Sequence, residues 1–127
     1  MIGNAHVKPK IDKSREERID DEIIVDCYGE GERAMGWYYY LEDCLEFPFT
    51  AKCIAARSIS PLKTGEVVEV LGMAPEDECE REMFVAIQWE KRKFGVPLSQ
   101  LEGVKVSRET KQAVEDWRYW VTRGYEF

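Results

Sequence analysis

The chain has 127 residues, 44% hydrophobic and 12% aromatic, which is enough apolar side chain for one packed core and argues against disorder. Its 18 basic and 25 acidic residues leave a formal charge of −7, which repels phosphate backbones and counts against nucleic-acid binding. No stretch approaches the roughly 18 apolar residues of a membrane span, and Met1 to Lys13 lacks the apolar run of a secretory signal, so a cytoplasmic protein is expected.

Residues 1–13 read as a flexible lead and residues 14–127 as a single α+β domain. A first helix is predicted from Ser14, where Ser14-x-x-Glu17 offers a capping box. Ile19, Ile23 and Cys27 follow at i, i+4 and i+8, with Ile24 and Tyr28 alongside, as one buried stripe. Gly29 and Gly31 interrupt it. A second helix is predicted over Glu32–Leu45, with Ala34, Tyr38, Leu41 and Leu45 inward. Phe47-Pro48-Phe49 closes it, because proline disfavours helix in the residue before it.

Short strands come next. They are expected over Thr50–Ile59, over Glu66–Met73 with a bulge at Gly72, and over Met83–Trp89. Two more are expected over Lys93–Leu98 and Val104–Val106, separated by one helical turn at Ser99–Glu102. Ala74–Glu82 is an acidic loop. A third helix is predicted over Ser107–Arg123, capped by Ser107, with Ala113, Val114, Trp117, Trp120 and Val121 inward. Five short strands with these turns predict a strongly bent, SH3-like barrel carrying two N-terminal helices and one C-terminal helix.

Catalysis finds little support in this sequence. The lone histidine, His6, sits in the lead and cannot serve a fixed nucleophile. There is no Gly-x-Ser-x-Gly, no phosphate-cradling glycine loop and no His-Glu-x-x-His. The cysteines at 27, 44, 53 and 79 contain no Cys-x-x-Cys pair, and Cys27, Cys44 and Cys53 fall within apolar patterns and read as reduced residues of the core, which suits a reducing cytosol. Trp37-Tyr38-Tyr39-Tyr40 could suggest base stacking. On a helix, however, the four side chains point in different directions, in acidic surroundings, and read as wedges against the barrel and third helix.

The carboxylates carry the remaining signal. Ser14 to Glu46 holds 11 acidic and 3 basic residues, a net of −8; Glu66 to Glu82 holds 7 and 1, a net of −6; the remainder sums to +7. Calcium takes six to eight oxygens in a flexible geometry, at roughly 2.3–2.6 Å. Glu42 and Asp43, with Glu46 one turn on, would crowd the negative end of the second helix, where a cation relieves them. Glu76, Asp77, Glu78 and Glu80 (with Glu82) lie in a loop between strands, free to wrap an ion. Glu22 and Asp26, one helical turn apart, form a secondary pair. No EF-hand pattern occurs, so a site would draw on more than one segment. On composition alone, the simpler reading of these acids is a solvated surface.

A resemblance shifts that balance. Asp21-Glu22-Ile23-Ile24-Val25-Asp26-Cys27-Tyr28 followed by Met35-Gly36-Trp37-Tyr38-Tyr39-Tyr40-Leu41 resembles the cyanobacterial calcium-binding protein family involved in heterocyst differentiation. Phe47-Pro48-Phe49-Thr50-Ala51, Val70-Leu71-Gly72-Met73-Ala74, Val96-Pro97-Leu98-Ser99-Gln100-Leu101, Glu115-Asp116-Trp117 and Tyr119-Trp120-Val121 extend the likeness over residues 15–124. The resemblance implies a non-EF-hand calcium binder with Ca2+ as its ion, acting as a reversible buffer or sensor and not as an enzyme. Relatives outside heterocyst-forming organisms mean that a role in differentiation does not transfer with it. It favours Leu41-Glu42-Asp43 and the acidic stretch after Met73 as the ion-binding positions. The rival expectation is an SH3-like interaction module whose acidic surface takes a basic protein partner.

Overall fold

The computed structural model describes residues 9–127, so His6 and most of the expected lead lie outside it. Three α-helices and five strands follow one another as α1 (Lys13–Arg18), α2 (Glu30–Cys44), β1 (Phe49–Cys53), β2 (Val67–Met73), β3 (Phe84–Trp89), β4 (Arg92–Pro97), β5 (Leu101–Gly103) and α3 (Arg108–Thr122).

Asp12, not Ser14, caps α1: its Oδ1 accepts from the Arg15 amide at 3.0 Å, and the Ser14 hydroxyl donates to the same oxygen at 3.2 Å. The Asp12 amide donates to the Tyr119 hydroxyl at 3.0 Å, and the Pro9 carbonyl accepts from Arg123 at 3.2 Å, so the start of α1 is tied to α3. After Arg18 the helix widens into a π-helical turn, Ile19–Ile23, in which the Ile24 amide reaches back five residues to the Ile19 carbonyl at 2.9 Å. The extra residue shifts the phase of the stripe. Ile19 and Ile23 are buried as expected, but Cys27 and Tyr28 leave the helix and Tyr28 is 82% exposed. Asp26, in left-handed backbone at φ 58°, turns the chain toward α2.

α2 crosses the π turn at Gly36. A Cβ there would lie 2.7 Å from the Ile23 carbonyl oxygen, so only glycine permits this approach. Ala34, Trp37, Tyr38 and Leu41 form its buried face. Trp37 meets Trp117 of α3 edge-on, with ring centroids 5.0 Å apart. Asp116 of α3 is fully buried; Arg18 binds it with two hydrogen bonds, at 3.0 and 2.7 Å, and the Tyr40 hydroxyl donates to it at 3.0 Å.

The sheet is antiparallel throughout and runs β4-β3-β2-β1-β5. Its register slips between Val70 and Gly72, the bulge expected from Gly72. Val70, Val85, Ile87 and Val96 line the inner face, completely buried. β5 lies upstream of its expected place. Leu101 supplies the buried position, while Lys105 is left-handed at φ 53° and Val106 folds back over Gly103, so Val104–Val106 forms the turn into α3. β4 and β5 stand at opposite edges and do not pair, so the sheet is open where the sequence predicts a closed barrel.

Candidate metal centre

The expected ligands divide by element. Glu42 and Asp43 sit exposed in the last turn of α2, which holds no basic residue to offset the helix dipole. Glu46 departs from them. The helix ends at Cys44, Leu45 turns extended, and the Glu46 amide donates to the Thr110 hydroxyl at 2.9 Å. Its side chain faces a separate depression, shared with Glu69 and Lys105. Glu22 and Asp26 also part, because the π turn ends between them.

The acidic loop is anchored, not free. Its stem is held where the buried Tyr38 hydroxyl donates to the Ala74 carbonyl at 2.7 Å. Its far side is held by Cys79, 2% exposed, whose sulfur accepts from the Phe84 amide at 3.3 Å. Between these points Glu76–Glu78 forms one 3-10 turn. Successive residues of such a turn are about 120° apart, so its carboxylates fan out. Glu76 turns toward α2 and accepts from the Tyr39 hydroxyl at 3.0 Å. Glu78 leans over β4, where a Cβ on Gly95 would lie 3.5 Å from its Oε1. Glu80 joins Glu30 and Glu76 along a groove of about 340 Å³ beside α2, floored by Ala34, Met35 and Tyr38. Glu82 is already engaged by Arg57, with Ser99 donating to it at 3.2 Å.

Tyr38 and Tyr39 mark where the two acidic segments meet. The hydrogen bond to Glu76 and that carboxylate's charge push the Tyr39 phenol above its ordinary range, with smaller contributions from burial and from Glu42. Burial raises the Tyr38 phenol most, and the charges of Glu42 and Glu76 add to it. Both phenols thus feel both carboxylates. From the sequence alone, the aromatic run is expected only to wedge α2 against its neighbours. Trp37 and Tyr38 do pack inward, but Tyr39 is half-exposed and works through its hydroxyl. Its spacing of three from Glu42, which puts the two on one helix face, was the available signal.

Among the described residues, Asp12, Glu82, Glu115 and Asp116 have arginine partners. Glu42, Asp43, Glu46, Glu76, Asp77, Glu78 and Glu80 have none, and no three acidic, histidine or cysteine side chains converge there into a ready-made cage. The donors are all carboxylate oxygen, which suits a hard cation of adaptable coordination.

An α+β domain with carboxylates on adjoining elements that lack cationic partners among the described residues, and with no EF-hand loop, points to a class: acidic calcium-binding domains outside the EF-hand type. The chain belongs to the CcbP family, described as calcium binding, which matches it over residues 17–121. The crystal structure of Anabaena CcbP superposes with a TM-score of 0.83 at 45% identity, covering 94% of this chain and 98% of that one. The structure of a calcium binding protein in the calcium-binding form gives a TM-score of 0.81 at 45% identity, covering 91% and 95%. No curated protein matches the chain. The protein is a calcium-binding protein.

Proposed function

We propose that this protein is a reversible calcium buffer whose ion sits at the seam between the end of α2 and the turn after β2. Glu42 and Asp43 would bind from one side and Glu76, Asp77, Glu78 and Glu80 from the other, with backbone carbonyls and water completing the shell. Glu46, across the end of α2, would take part only in a separate, weaker contact. The observation that carries this reading is the hydrogen bond from Tyr39 of α2 to Glu76, which ties the two acidic segments together, with no cation paired to Glu42 or Glu76 among the described residues.

Calcium tolerates ligands gathered from splayed positions; magnesium demands a near-octahedral cage and gives up water reluctantly. The affinity should be moderate, about 10⁻⁷–10⁻⁴ M by comparison with sensor and weaker modules. Isothermal titration should show saturable calcium binding that survives excess magnesium. Equal, weak heats for both ions would reduce the site to an ion atmosphere.

The reading is of a non-enzymatic, cytoplasmic protein whose working part is one domain over residues 14–127. No described helix is long and apolar enough to cross a membrane. The strand order, with a 3-10 turn at Leu98–Gln100 before β5, supports treating the sheet as an SH3-like barrel left open at one seam. The groove beside α2, where Glu30, Glu76 and Glu80 outnumber the single cation Arg81, favours a second reading, a module that docks a basic protein segment. A lysine-rich amphipathic peptide that binds equally well in calcium and in chelator would favour this alternative.

A further inference from the structure

Tyr39 is 50% exposed, yet its hydroxyl is not left to solvent. It spans 37 residues of sequence to donate to Glu76 Oε1 at 3.0 Å. The contact differs from that of Tyr40, whose carboxylate partner Asp116 is already neutralised by Arg18. Glu76 has no such cation among the described residues. Tyr39 and Glu42 are three residues apart on α2, so they are neighbours on the helix surface. A Glu76 carboxylate bonded to Tyr39 is therefore tied to the helix that carries Glu42.

A free glutamate side chain is rich in rotamers, and an ion that must order it meets that entropy. A hydrogen bond already in place before binding removes part of the cost. The phenol supplies one proton, whereas a carboxylate has about four lone-pair sites, so Glu76 can accept from Tyr39 and still offer oxygen to a cation. Tyr38 complements the arrangement from below by fixing the stem of the turn at Ala74.

We propose that Tyr39 is a positioning residue for calcium, its hydroxyl orienting the Glu76 carboxylate toward Glu42 from behind the ligand. The proposal rests on the seam assigned above. Hydrogen-bond partners that orient metal ligands commonly govern affinity by about 10–100-fold.

The test is Tyr39→Phe, which keeps the ring and removes only the hydroxyl, alone and combined with Glu76→Gln. By calorimetry, Tyr39→Phe should weaken calcium binding by roughly tenfold. In the Glu76→Gln background the same change should cost little more, because the oriented carboxylate is gone. In chelator, Tyr39→Phe should melt near the wild type, while its Glu78 and Cys79 amides, bonded to the Pro75 and Glu76 carbonyls, exchange faster. Wild-type affinity in Tyr39→Phe, losses that simply add, or unchanged amide exchange would overturn the proposal while leaving the seam standing. If Glu42→Gln and Glu76→Gln both bind calcium as the wild type does, the seam assignment falls and the proposal with it.

Discussion

Asp116 shows how a single residue can fasten three elements. Its carboxylate is fully buried, yet it accepts from Arg18 at the end of α1 and from Tyr40 of α2. Asp116→Asn would leave the Arg18 guanidinium uncompensated. We expect a loss of about 3 kcal/mol, the low end for a broken buried pair because Arg18 keeps some contact with water. Urea unfolding reads it, and calcium affinity should not follow. Burial, reinforced by the Asp116 charge and hydrogen bond, also pushes the Tyr40 phenol above its ordinary value of 10.0. In alkali the native state then keeps a proton that the unfolded chain loses. The contribution is whole below about pH 10 and falls as pH rises beyond it. Urea midpoints measured from about pH 8 to pH 11 should decline, and Tyr40→Phe should flatten part of that decline. None of this was legible in the sequence. Asp116 appeared there only inside a short motif, and its partner Arg18 lies 98 residues away.

At the scale of elements, legibility followed periodicity. α3 was visible because Ala113, Val114, Trp117 and Trp120 recur on one face and all are buried. α2 was visible for the same reason. The first helix misled because a π turn leaves Ile19 and Ile23 in place while moving Cys27 and Tyr28 out of phase, and no residue type announces that insertion. Gly36 holds its structural counterpart. Gly36→Ala should improve helix propensity by about 1 kcal/mol, yet the Cβ would press on the Ile23 carbonyl at 2.7 Å. Backbone yields poorly, so we expect a net destabilisation of about 1–3 kcal/mol, measured as a lower urea midpoint. A neutral or stabilising alanine would mean that the π turn can move aside. The acidic segments were legible as charge but not as geometry. A run of glutamates does not reveal that Glu82 faces Arg57, that Glu46 turns to another depression, or that a 3-10 turn splays Glu76 to Glu78.

Across the whole molecule, the formal charge of −7 is concentrated, and the ion-free protein carries that crowding as stored repulsion. Calcium should therefore act on global stability as well as on the seam. Bound only to the native state at a hundredfold excess over its dissociation constant, it contributes about 2.7 kcal/mol by mass action. For a chain of this size that is a rise in Tm on the order of 10 °C. Neutralising Glu42 and Asp43 together, to Gln and Asn, separates the two effects. Two like charges leave the negative end of α2, so the chelated variant should melt higher than chelated wild type, by about 0.3–1 kcal/mol for each charge. The same variant should keep only part of the calcium-induced rise, since two of the seam's six carboxylates are gone. Simple screening behaves differently. Potassium chloride would lift the chelated wild type through reduced repulsion and would lift the variant less, whichever ligands calcium uses. Calorimetric melts in chelator, in calcium and in potassium chloride thus tell the cases apart. A calcium-induced shift unchanged in the double variant would remove α2 from the site and leave the ion to the turn after β2.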